Sequence, residues 1–67
     1  SKAMRGSGVG RAVLDALMDT ARAKGYREAV LHAQTSAAPF YIRAGFATRG
    51  PMFEEVGIQH IEMARAL

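Results

Sequence analysis

Arg5-Gly6-Ser7-Gly8-Val9-Gly10-Arg11 is the stretch that decides the reading of this 67-residue chain. Three glycines at alternate positions remove Cβ atoms and permit positive φ, so successive backbone N–H groups can converge on one point. Residues 1–8 read as a polar loop without period. From Val9 onward the pattern changes. Val9, Val13, Leu14, Leu17, Met18 and Ala21 recur with the spacing of one helical face, and Arg11, Asp15, Asp19 and Arg22 fill the other. This predicts a helix over 9–24, closed by Gly25. The first N–H groups of such a helix have no partners inside it, and its dipole favours an anion at that end. With Arg5 and Arg11 at its edges, the loop Arg5, Gly6, Ser7, Gly8, Val9, Gly10, Arg11 is expected to hold a phosphate or pyrophosphate.

The type of phosphate ligand is constrained by what is missing. A P-loop needs Gly-Lys followed by Ser or Thr, and Arg11-Ala12 does not supply it. A dinucleotide fingerprint needs a strand before the loop and a third glycine, where this chain has Val13. An ordinary Gly/Ser-rich loop with no ligand is the competing reading of the same residues.

Downstream, Ala29-Val30-Leu31 is an apolar run too short for a helix, and 27–33 is predicted as a buried, parallel-type strand. A short helix follows through about Ala44, with Ser36 as its cap, Pro39 in its first turn and Gly45 at its end. Phe46–Thr48 fits a short strand, Gly50-Pro51 a turn, and residues 52–57 an irregular segment. Over 60–67, His60, Glu62 and Ala64 alternate with Ile61, Met63 and Arg65, which is a strand signature. The expected order is loop, helix, strand, helix, strand, strand, an α/β arrangement.

Composition narrows the function classes. The chain has no cysteine, which excludes disulfides and thiolate metal sites and suits a reducing, cytoplasmic setting. No apolar stretch approaches the roughly 20 residues that span a bilayer, and no signal-peptide pattern opens the chain. The net charge is +3, with Lys2, Arg5 and Arg11 gathered around the glycines. A small anionic ligand fits that placement better than a nucleic acid, which would call for a basic run interleaved with aromatics. A domain of this size buries only about 60% of the surface its unfolded chain exposes. A homodimer completing its own sheet is therefore one expected state.

Three segments together resemble the GNAT acetyltransferases. Arg5-x-x-Gly8-x-Gly10 is similar to that family's pyrophosphate-loop pattern. Residues 33–46, Ala-Gln-Thr-Ser-Ala-Ala-Pro-Phe-Tyr-Ile-Arg-Ala-Gly-Phe, resemble its second signature, with Gln34 where many members have Asn. Residues 53–63, Phe-Glu-Glu-Val-Gly-Ile-Gln-His-Ile-Glu-Met, resemble the ElaA-like branch. The resemblance covers residues 1–67 and implies the C-terminal half of a GNAT acyl-CoA N-acyltransferase fold. It implies acetyl-CoA as cosubstrate and an amine as acceptor. Gln34 would then bond the pantetheine arm, and Tyr41 would protonate the departing thiolate as general acid. A phenol, with a reference pKa of about 10, is matched to that task. Such domains run to about twice this length, so the resemblance equally implies a CoA-binding fragment without turnover.

Each remaining polar candidate has a plainer alternative. Tyr41 can be an amphipathic helix residue with its hydroxyl at the surface, and Gln34 an ordinary turn residue. His60 can act as a base toward the amine, and Glu54 or Glu55 can contact it; otherwise these are solvated side chains. His60 and Glu62 share a strand face and His32, Glu54 and Glu55 are metal-capable, but a site needs three or more converging ligands, so a metal is not expected. Phe40, Phe46, Phe53, Tyr26 and the methionines are expected to pack.

Overall fold

The computed structural model describes residues 8–67. Of the loop expected to hold a phosphate, Arg5, Gly6 and Ser7 lie outside the described residues, and Gly8 to Arg11 lie inside them. Helix α1 spans Val9–Ala23, strand β1 Glu28–Gln34, and a 3₁₀ turn Thr35–Ala37. Helix α2 (Ala38–Arg43) follows, then strands β2 (Ala47–Thr48), β3 (Phe53–Glu55) and β4 (Ile58–Ala66).

Both helices end by the same device. The Gly25 N–H donates to the Arg22 carbonyl (3.0 Å) and the Tyr26 N–H to that of Ala21 (3.1 Å). Gly45 donates to Ile42 (3.0 Å) and Phe46 to Tyr41 (2.9 Å). These are Schellman closures, which need a left-handed residue after the helix, and Gly45 has φ 93°. The second closure turns the chain sharply and drives Phe46 into the core at 3% exposure. Ser36 is not the cap that the sequence suggested. It lies in the 3₁₀ turn, and no side chain caps α2. Pro39 near the start of α2 makes that end tolerable without one.

Among the described residues, all strand pairing runs through β4. It pairs antiparallel with β1 along one side, and with β2 and β3 end to end along the other. Two expectations fail here. First, β1 is neither parallel to its neighbour nor buried on both faces. Its residues alternate, and Val30 is 47% exposed, because the helices cover one face of the sheet only. Second, residues 52–57 are not irregular throughout. Phe53–Glu55 gains its strand geometry from pairing with His60, Gln59 and Ile58 rather than from its own pattern.

Opposed residues of an antiparallel pair share a face. Ala29, Leu31 and Ala33 therefore join Arg65, Met63 and Ile61 under the helices, while His32 and Gln34 join Glu62 and His60 on the other face. The alternation read over 60–65 is thus realised. Leu14 and Met18 of α1 close the core on Ala33, Ala44, Phe46 and Met63, the last of which has no exposed surface. Val13 and Leu17, expected on the same buried stripe, stay more than half exposed. A single sheet face covers only part of an apolar stripe this wide. Tyr26 and Met52 are likewise exposed rather than packed.

The β3–β4 hairpin turns on Val56 and Gly57, with φ 52° and 73°. Two positive φ values define a type I′ turn, which favours Asn-Gly; a β-branched residue there is strained by about 1–2 kcal/mol. Val56 is 93% exposed and gains nothing from packing. Val56→Asn should raise stability by about 1 kcal/mol, seen as an upward shift of the urea midpoint at unchanged slope.

Candidate functional site

A groove of about 540 Å³ opens where α1 begins and β1 ends. Gly8, Gly10, Arg11, Gln34, Tyr41 and Arg43 line it. Two chain reversals bring these distant residues together: Gly25 returns the chain from α1 to β1, and the 3₁₀ turn sets α2 beside the start of α1.

The helix N-terminus supplies the donors. The bond from the Ala12 N–H to the Gly8 carbonyl (3.1 Å) starts the helical ladder, so the N–H groups of residues 9–11 precede it. Gly8 sits at the N-cap with φ 81° and ψ 2°. A Cβ built on Gly8 would meet nothing within 4 Å, whereas one on Gly10 would lie 3.8 Å from the Phe40 ring. The backbone is thus bare on the groove side and backed by an aromatic wall, which suits close approach of a phosphate group.

Arg11 is partly committed. Its Nε donates to Asp15 Oδ1 (3.0 Å) and its Nη1 to the Arg43 carbonyl (3.1 Å), tying α1 to the C-terminus of α2. A guanidinium has five N–H donors, so three remain for an anion. Arg43, which sequence reasoning passed over, adds a second cation to the groove. Its place on α2 was readable, but its side of that helix was not.

Tyr41 is half-buried on the groove wall. Its ring stands edge-on to Phe40 (centroids 5.1 Å apart) and to Phe46 (5.8 Å), so core aromatics fix its direction. Gln34, at the end of β1, is exposed and reaches the groove from the sheet side.

A second constellation covers the sheet face away from the helices. Glu55 lies between two imidazoles: its Oε1 is 3.6 Å from His32 Nδ1 and its Oε2 is 3.6 Å from His60 Nε2. Glu62 Oε1 is 3.5 Å from His32 Nε2. The Phe53 ring is edge-on to His32 and stacked near His60. Glu54, the other acidic candidate, pairs with Gln59 and points to the opposite face. Among the described residues, no three His, Cys, Asp or Glu side chains are arranged to hold a metal ion.

Arg49 anchors this face by donating to Glu62 Oε2 (2.7 Å) and to Glu28 (3.3 Å). The guanidinium holds the Glu62 carboxyl below the ordinary carboxylate range, and the pairing raises Arg49 in turn. A depressed folded-state carboxyl adds stability above its unfolded pKa and loses it as pH falls through the folded value. Glu62→Gln should therefore flatten the acid side of the stability profile, measured as urea midpoints between about pH 3 and 6. Added salt should shrink the difference between the two proteins, since the pair faces solvent.

The fold and groove together define a small α/β domain with a bare helix N-terminus at one end of the groove and a phenol on its wall. A family model for the acetyltransferase (GNAT) domain matches residues 1–67. The chain belongs to the GNAT acetyltransferase family. The curated protein YyaT of Bacillus subtilis (strain 168) is 33% identical over 66 residues, covering 98% of this chain and 45% of YyaT. Escherichia coli ElaA has a crystal structure that matches with TM-score 0.80 and 33% identity, over 97% of this chain and 44% of that one. An acyl-CoA N-acyltransferase from Pseudomonas aeruginosa matches with TM-score 0.83 and 28% identity, over 90% of this chain and 41% of that one. The chain thus spans less than half the length of the curated relatives it matches. No helix among the described residues is long and apolar enough to cross a membrane.

Proposed function

We propose that residues 1–67 form the coenzyme side of an N-acyltransferase that moves an acetyl group from acetyl-CoA to an amine. The observation that carries this is the groove, in which a bare helix N-terminus, two arginines and an oriented phenol meet within one cavity. Acetyl-CoA supplies a thioester whose carbonyl an amine attacks. Residues 5–11 hold the pyrophosphate through backbone N–H groups, with Arg5 and Arg11 adding charge. Gln34 bonds the amides of the pantetheine arm. Tyr41 donates its hydroxyl proton to the sulfur as the thiolate leaves. Such a cosubstrate is met in the cytoplasm, and the chain carries no cysteine that such a compartment would have to keep reduced.

A second reading is that residues 1–67, which span under half the length of the curated relatives, bind the coenzyme without turning it over on their own. Loss of one oxyanion donor alone costs about 100- to 1000-fold in rate. Among the described residues no strand pairs with the other side of β1, and a second copy that completed the sheet there would give a homodimer. Acetyl-CoA titration followed by amide NMR tests the main proposal. Saturable shifts at Gly8, Val9 and Gly10, shared by desulfo-CoA, support it, and silence at millimolar ligand in a folded sample defeats it. Thiol release then separates enzyme from binder, and size-exclusion chromatography separates monomer from dimer.

A further inference from the structure

We propose that Arg11 is a positioning residue: its guanidinium ties α2 to the start of α1, and that tie sets where the Tyr41 phenol stands in the groove. The inference rests on the acyl-transfer reading above and deepens it by naming the group that holds the proposed proton donor in place.

Helix α2 cannot place itself. It has six residues, Ala38–Arg43, and no side chain caps its start. Isolated helices shorter than about 12–15 residues are marginal in water, so one this short takes its position from its attachments. Both side chains that it lends to the groove with polar ends, Tyr41 and Arg43, go where those attachments put it.

The attachments sit at its C-terminus. The last carbonyls of a helix lack partners inside it. Here the Tyr41 carbonyl accepts from the Ala44 and Phe46 N–H groups, and that of Ile42 accepts from Gly45. The next two carbonyls are met by guanidinium groups from different elements. Arg11 Nη1 of α1 donates to the Arg43 carbonyl (3.1 Å), and Arg65 Nη1 of β4 donates to the Ala44 carbonyl (3.1 Å). Cations at this end also suit the helix dipole. Arg65 ties α2 to the sheet, and Arg11 ties it to the helix whose N-terminus opens the groove. Among the described residues, no other side-chain hydrogen bond joins α1 to another element.

Asp15 makes the tie directional. An ion pair this exposed contributes little stability by itself. Its carboxylate does fix one edge of the planar fork, since Oδ1 accepts from Nε (3.0 Å), and Nη1 is left aimed at the Arg43 carbonyl. The Phe40 ring lies on the same seam, 3.8 Å from where a Cβ on Gly10 would stand, and packs edge-on to Tyr41. Helix α2 is thus held to α1 by an apolar contact at residue 40 and a polar one at residue 43, which flank Tyr41 in the chain. Without the polar tie, α2 swings about its other contacts and carries the phenol with it.

The test compares Arg11→Lys, Asp15→Asn and Asp19→Asn in the ligand-free protein, by Tyr41 ring NMR signals and amide exchange at Ala44, Gly45 and Phe46. Lysine keeps the charge but is a point donor without a fork. Asp15→Asn keeps Arg11 and weakens its anchor. Asp19→Asn breaks the comparable pair with Arg22 on the same helix (2.9 Å), at a residue that does not line the groove. Arg11→Lys should shift the Tyr41 ring signals and quicken exchange at residues 44–46 about tenfold. Asp15→Asn should do the same to a smaller degree, and Asp19→Asn should do neither. Unmoved Tyr41 signals and exchange in a folded Arg11→Lys protein overturn the proposal, as does an equal response to Asp19→Asn. In the wild-type protein the Arg11 guanidinium should rotate slowly, with separate Nη proton signals; freely averaged signals overturn the proposal without any variant. Adding acetyl-CoA keeps the two readings apart. A protein that shows the tie and binds no coenzyme defeats the coenzyme assignment alone, whereas coenzyme binding with a Tyr41 indifferent to Arg11→Lys defeats this inference alone.

Discussion

Phe46→Ala is expected to leave the chain unfolded at 25 °C. The ring is 3% exposed, packs in the core with Leu14, Met18 and Met63, and stands edge-on to Tyr41. Truncating a buried phenylalanine costs about 3–5 kcal/mol through lost transfer energy and the cavity left behind. A chain this small seldom has more than about 3–5 kcal/mol in total. The loss also reaches the groove, because Phe46 closes α2 and braces the phenol. Far-UV circular dichroism and amide dispersion should both show collapse of the native signal. A variant that keeps native dispersion would mean that the core is held chiefly by the other buried side chains.

On the proposed coenzyme assignment, Gly8→Asp should weaken acetyl-CoA binding about 100-fold while leaving the fold in place. Position 8 is the N-cap of α1, where aspartate is among the preferred residues and tolerates a left-handed backbone better than most. A Cβ there meets nothing within 4 Å, so the substitution creates no clash. Its carboxylate, however, would stand where phosphate oxygens must approach. Like charges about 4 Å apart repel by roughly 4 kcal/mol in partly screened surroundings. After further screening by solvent, affinity for acetyl-CoA should fall about 100-fold, read by the same amide titration. Unchanged affinity would place the pyrophosphate elsewhere.

What could be read from the sequence was what short-range chemistry fixes. Helix α1 was legible because its face repeats over four turns, and both helix ends were legible because Gly25 and Gly45 announce them. The alternation of His60 to Arg65 correctly sorted residues between the two sheet faces. The groove residues Gly8, Gly10, Arg11, Gln34 and Tyr41 were named in advance and are brought together, although their roles rest on the proposal above. The illegible parts depend on partners. Strand β3 has no pattern of its own and exists because β4 lies beside it. The direction of β1 was misread because a short apolar run does not encode which neighbour it will have. The Glu55 cluster needed the strand register, which places His32 opposite Glu62 and Gln34 opposite His60 across 26 or more residues of chain. Val13 and Leu17 look like core residues in a helical wheel and are exposed because only one sheet face reaches them.

The role of β4 as common partner also bears on when the fold can form. A ribosome delivers residues 28–34, 47–48 and 53–55 before residues 58–66. Within the described residues none of those three strands pairs with another. Helix α1 can form as it emerges, since its bonds are local. Among the described residues, the earlier strands gain their shared partner only when β4 arrives. Among the described residues, assembly of this sheet therefore waits for β4, the last strand to be made.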